Sequence, residues 1–180
     1  MRQHTKLGDA SSTGATLVGI NPLYEFALCV KAIQRELERQ TNAVMEPLGL
    51  TGAQADALTI IGLAGPLSLK DLGGLLIAEA GHPSRLVDRL VAAGLVERRV
   101  ARDDRRRIEL SLTPRGRKLE NRVLAARETF FELAGELVGD RDLQPVLEMM
   151  REFVGYTSFA ELIERRKELL KRASRQGHGS

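Results

Sequence analysis

One stretch limits what this chain can become: residues 68–112, where a helical period gives way to a strand period. Ser68 and Asp71 stand in the S-x-x-D spacing of a helix N-cap and its partner. A short helix is expected from Leu69 to about Ile77. Gly73-Gly74 falls inside it, at about 1 kcal/mol per glycine relative to alanine. A second helix is expected from about Ala80 to Ala93, with Leu86, Leu90 and Ala93 on one buried stripe. Pro83 removes a backbone donor from its first turn, and Gly94 closes it, because positive φ is cheap only for glycine. Two alternating runs follow. Val96, Arg98 and Val100 interleave with Glu97 and Arg99; Ile108, Leu110 and Leu112 interleave with Glu109 and Ser111. A period of two marks half-buried strands. Between them, residues 101–107 form a charged loop without an apolar anchor.

Two short helices followed by a basic β-hairpin make a winged helix-turn-helix, whose usual work is reading duplex DNA. Charge placement agrees. The whole chain carries a net charge of only +3. Residues 80–118 hold eleven basic and five acidic side chains, a local +6, so the remainder is near −3. A basic centre between acidic ends suits a polyanion met by one region only. A solvated charged face is the alternative. Hydrophobic residues are 43% of the chain and aromatic ones 4%, enough for an aliphatic core.

The remaining segments read as helices. Residues 1–21 are rich in Ser, Thr and Gly and are expected to form a flexible arm. Pro22 suits a first helical turn. Apolar residues at Leu23, Phe26, Val30, Ile33, Leu37, Val44 and Met45 predict a long amphipathic helix ending near Pro47-Leu48-Gly49. Thr51 to Gln54 is a T-x-x-Q capping box opening a mostly apolar helix to about Leu63. Thr113-Pro114 starts another, running to about Val138. Gly139-Asp140 breaks it, and Asp142 begins a last helix through about Lys171. The fold class is therefore mainly α with a two-stranded β-wing. Residues 51–113 form the winged helix-turn-helix lobe, 22–48 and 114–172 a helical dimerisation region, and 173–180 a loose tail. The long amphipathic helices need partners for their stripes, within one chain and across a homodimer.

The run from Gly81 to Arg98 resembles the recognition helix and first wing strand of MarR-family transcriptional regulators. Asp104-Arg105-Arg106 resembles that family's D-x-R wing, and Leu110 to Gly116 its L-T-x-x-G step into the next helix. Glu79 stands where the family often has Ser. The resemblance implies a homodimer placing one helix per subunit in the major groove and one wing in the minor groove. A dimer reading half-sites one turn, roughly 34–36 Å, apart needs such a rigid helical base.

Double-stranded DNA is thus the expected partner. Arg106 is the minor-groove candidate, where a guanidinium meets the most negative potential, with Asp104 holding it. An exposed hairpin ion pair is the plainer alternative. Arg102, Arg105 and Arg107 are phosphate contacts or solvated. On the helix tip, Ala80, Gly81, His82, Ser84 and Arg85 face base edges, Arg85 in a geometry that suits guanine, and Arg89 suits a phosphate. His82 reads equally as base contact or cap, or as a pH-sensitive group. Tyr24 and Tyr156 either line an effector pocket or belong to the core.

A single cysteine, Cys29, excludes an intramolecular disulfide framework and a Cys-based zinc finger, and fits a reducing, cytoplasmic compartment. It is either a buried structural thiol or a redox site. No run is long and apolar enough for a membrane span, and no catalytic constellation, metal motif or cofactor loop is present. The expected activity is that of a sequence-specific repressor released by a small molecule. The alternatives are a winged interaction module without sequence preference and a thiol switch through Cys29.

Overall fold

The computed structural model describes residues 21–77, 83–101 and 106–177. Contacts divide the chain into two units, Met1–Gln40 and Thr41–Ser180.

The described part of the first unit, residues 21–40, lies on helix α1 (Pro22–Met45), whose last residues belong to the second unit. The Asn21 side chain accepts the Leu23 amide at 2.9 Å, so Asn21 caps the helix with Pro22 as its first residue. Glu36 accepts from Arg39 and Gln40 on the same face, and these bonds pull its carboxyl down to about 2. Leu23, Leu28, Ile33 and Leu37 are exposed.

In the second unit, which starts at Thr41, a 3₁₀ turn (Glu46–Leu48) and Gly49, at φ +71°, reverse the chain. Thr51 and Gln54 form the expected reciprocal cap of α2 (Gly52–Ala64). This helix is the core of the unit. Ala55, Ala57, Leu58, Ile60 and Ile61 are buried, and buried Thr59 gives its hydroxyl proton to the Ala55 carbonyl. Around it gather Met45, Leu67, Leu72, Val87, Leu90, Leu110 and Val123.

After Gly65-Pro66 comes a strand the alternation does not reveal, β1 (Leu67–Ser68). Two residues are too few to show a period. It joins β2 (Val96–Val100) and β3 (Ile108–Leu112) in an antiparallel sheet ordered β1-β3-β2, so the wing rests on three strands rather than two. Helix α3 is also shorter than expected, Leu69–Gly73. The Leu72 carbonyl accepts from both Leu75 and Leu76, so the chain turns at Gly74 and buries those leucines. The glycine pair ends the helix instead of weakening its middle.

Helix α4 is described from Pro83 to Ala92. Its buried line is Val87 and Leu90, with Leu86 and Val91 partly covered; Ala93 is exposed. Gly94, at φ +67°, and the Leu95 amide bonded to the Leu90 carbonyl close it. The hairpin register pairs Val96 with Leu112 and Val100 with Ile108, and the Ala101 amide donates to the Arg107 carbonyl at 2.8 Å.

Thr113 caps α5 (Pro114–Val138) by accepting the Gly116 amide, while its hydroxyl donates to the Gly94 carbonyl at 2.7 Å. Gly116 packs so closely on Leu95 that a Cβ there would lie 2.0 Å from the Leu95 carbonyl oxygen. The T-x-x-G spacing therefore locks the hairpin base to α5. The expected last helix is two: α6 (Gln144–Gly155) and α7 (Ala160–Gly177). The Thr157 hydroxyl donates to the Val154 carbonyl and accepts the Phe159 amide, ending one helix and starting the next. Among the described residues no helix is long and apolar enough to cross a membrane.

Candidate nucleic-acid interface

The site is built on α4 and the hairpin. Burial of Val87 and Leu90 turns the opposite face of α4 outward, exposing Arg85, Asp88 and Arg89. Asp88 accepts from Arg98 of β2 at 2.7 Å, tying helix to wing. Arg85 and Arg89, one turn apart, have neither ion pair nor hydrogen bond among the described residues. Ser84 is half-buried near the start of the helix.

The hairpin projects. Val100 and Ile108, facing each other at its far end, are 54% and 47% exposed. Arg106 is exposed at the turn. Its basic residues divide by face. Arg99 pairs with Glu97 at 2.7 Å and Arg107 with Glu109 at 3.0 Å. With Pro66 and Arg117 these four line a shallow cleft on the face of the hairpin opposite Arg98. Arg99 and Arg107 thus meet carboxylates of their own sheet, which the linear charge count could not foresee.

Ala80, Gly81, His82, Arg102, Asp104 and Arg105 lie outside the described residues. So does the expected Asp104–Arg106 contact. Cys29 is exposed, so within one chain it is not a buried structural thiol. Tyr24 and Tyr156 are 57% and 91% exposed, so neither is a core residue of the chain. Among the described residues no group of His, Cys, Asp or Glu is placed to hold a metal ion.

Sequence reasoning missed two charged clusters beneath the site. Glu120, 3% exposed, reaches from α5 to α2, where a Cβ on Gly62 would lie 1.7 Å from its Oε1. Burial pushes its carboxyl up; Arg117, donating to Oε2 at 2.9 Å, only partly offsets this. Arg117 also donates to the Gly62 carbonyl. Asp56 on α2 accepts from Arg127 of α5 and Arg166 of α7.

A helix pair, an outward basic helix face and a protruding hairpin define a winged helix-turn-helix protein. The MarR family model matches residues 50–108. The HTH-type transcriptional regulator YcgE of Bacillus subtilis is 30% identical over 131 residues, covering 72% of this chain and 80% of that protein. BldR from Sulfolobus solfataricus shares the fold at a TM-score of 0.61 and 23% identity, over 77% of this chain and 99% of the other. A mutant MarR from E. coli, solved in complex with operator DNA, shares it at 0.53 and 23% identity, over 86% and 96%. The chain belongs to the MarR family. It is a transcriptional regulator, not an enzyme.

Proposed function

We propose that the protein is a homodimeric, sequence-specific DNA-binding repressor, with residues 51–113 as the reading lobe and 22–48 and 114–172 as the dimerisation region. The outer face of α4 carries this reading. Arg85 and Arg89 stand there without an ion pair or hydrogen bond among the described residues, on a helix tied to the hairpin by Asp88 and Arg98. Arg85 reads a base edge and Arg89 holds a phosphate. Arg106 enters the minor groove from the hairpin, and Arg102 and Arg105 add charge beside it. Ala80, Gly81, His82 and Ser84 are proposed as further base contacts, and Asp104 as the partner of Arg106. The MarR structure with operator DNA supports this reading by fold.

Release follows if a small-molecule effector binds better to the dimer geometry whose α4 helices miss the half-site spacing. The exposed rings of Tyr24 and Tyr156 are the proposed effector contacts. An oxidant acting on exposed Cys29 would reach the same end; an unchanged response in Cys29→Ser removes that route.

The test is a mobility-shift titration against the DNA flanking the protein's own gene, beside random duplexes. Specific binding should exceed random binding by at least about 10³-fold, and Arg106→Ala should weaken it several-fold. A ratio near one would leave a winged module without sequence preference.

A further inference from the structure

The Asp56 carboxylate gathers three helices. Arg166 of α7 grips it with both terminal nitrogens, Nη1 to Oδ2 at 3.0 Å and Nη2 to Oδ1 at 2.6 Å. Arg127 of α5 reaches Oδ1 at 3.3 Å. All three side chains are only 22–23% exposed. A two-pronged guanidinium–carboxylate contact fixes direction as well as distance, which a lysine would not do.

Its location gives the contact a consequence. Asp56 lies on the helix that organises the winged lobe. Arg127 lies where α5 leaves that core: Val123 is fully buried, whereas Phe131, Leu133 and Leu137 beyond it are exposed. The neighbouring residue on α7, Arg165, turns to α3 instead. Its guanidinium lies 3.0 Å from where a Cβ on Gly74 would stand. Its charge also helps hold the Asp71 carboxyl below its ordinary value, behind the larger effect of the Ser68 hydrogen bond. Adjacent arginines of α7 thus engage two different helices of the lobe.

We propose that Arg166, with Arg127, sets the angle between the winged lobe and helices α5 and α7 through Asp56, and is a positioning residue for operator recognition. This deepens the DNA-binding reading above and rests on it. Without the grip the lobe keeps its own core and its α4 surface, but its orientation spreads. A dimer then binds a correctly spaced operator less well and discriminates spacing less, because the penalty for a misplaced half-site is the penalty for turning the lobe.

Two measurements on the full-length protein test this. Operators with native spacing, and with half-sites moved by one base pair either way, are titrated with wild type, Arg166→Gln and Arg166→Lys. The Gln variant should lose about ten-fold affinity for native spacing and a comparable part of its spacing selectivity, while binding an isolated half-site as wild type does; the Lys variant should recover only part. A lowered melting temperature with wild-type spacing selectivity would mean a purely structural contact and overturn the proposal. Independently of DNA, spin labels at Ala92→Cys and Glu136→Cys, in a Cys29→Ser background diluted with unlabelled protein, report the lobe-to-α5 distance within one chain. Arg166→Gln should broaden that distribution, and an unchanged one rejects the proposal. If wild type binds no operator while the distribution broadens, the DNA reading fails and the clasp stands.

Discussion

Glycine and glutamate decide more here than the arginines that first draw notice. At Gly116 the obstacle is the Leu95 carbonyl, backbone that cannot swing aside. Gly116→Ala should therefore cost about 1–3 kcal/mol, seen as a fall in melting temperature of roughly 2–4 °C per kcal/mol for a chain of this size. Glu120 makes an opposite, pH-dependent case. Its folded-state carboxyl is raised above the ordinary 4.5 because burial outweighs Arg117. A raised acid favours the fold fully below its unfolded value and loses that contribution as pH rises through the folded value. Glu120→Gln cannot ionise, so it should gain stability relative to wild type as pH rises from 4 to 7, measured by denaturant titration; a constant difference would show that the carboxylate is fully compensated. Among the surface arginines, Arg85→Ala should cost about 1–3 kcal/mol on the specific operator and relax preference at one base position, while Arg89→Ala should weaken all duplexes alike and lower the salt slope by about one.

At the scale of elements, legibility follows the range of the forces involved. Both hairpin strands were readable to the residue because strand period and turn charge are local. The capping box at Thr51 and Gln54 and the Thr113-Pro114 helix start were readable for the same reason, and Gly139 marked the end of α5. The break between α6 and α7 was not. Apolar residues recur on both sides of it, and a threonine hydroxyl bonding two backbone groups makes the turn. Thr157→Ala should cost about 1 kcal/mol and raise amide exchange at the first turn of α7, with the sheet unaffected. Nor could the sequence reveal the Asp56 cluster, whose partners lie 71 and 110 residues away. The interface itself was half legible. Composition located the positive charge, but only strand facing shows Arg99 and Arg107 spent on Glu97 and Glu109 while Arg85 and Arg89 remain outward.

For the molecule as a whole, the distribution of apolar surface bears on the proposed homodimer. The core around α2 is closed, yet α5 beyond Val123 and α6 expose Phe131, Leu133, Leu137, Leu147 and Phe153, and α1 separately exposes Leu23, Leu28 and Ile33. Apolar residues in such number, on helices that among the described residues are not long and apolar enough to cross a membrane, favour association. A stable interface of about 1,600 Å² would use surface of this kind. Leu137, 83% exposed, contributes nothing to the core of its own chain, so Leu137→Asp should leave the melting of the winged lobe unchanged and act only on assembly. In sedimentation equilibrium it should shift the protein towards monomer. In DNA titrations a monomer touches one half-site, so the slope of log affinity against log salt should fall to about half the wild-type value as half the phosphate contacts are lost. A variant that remains dimeric would place the interface elsewhere on the helices. A monomer that kept the full slope would mean that one lobe makes every contact, and the half-site geometry assigned to this protein would fail.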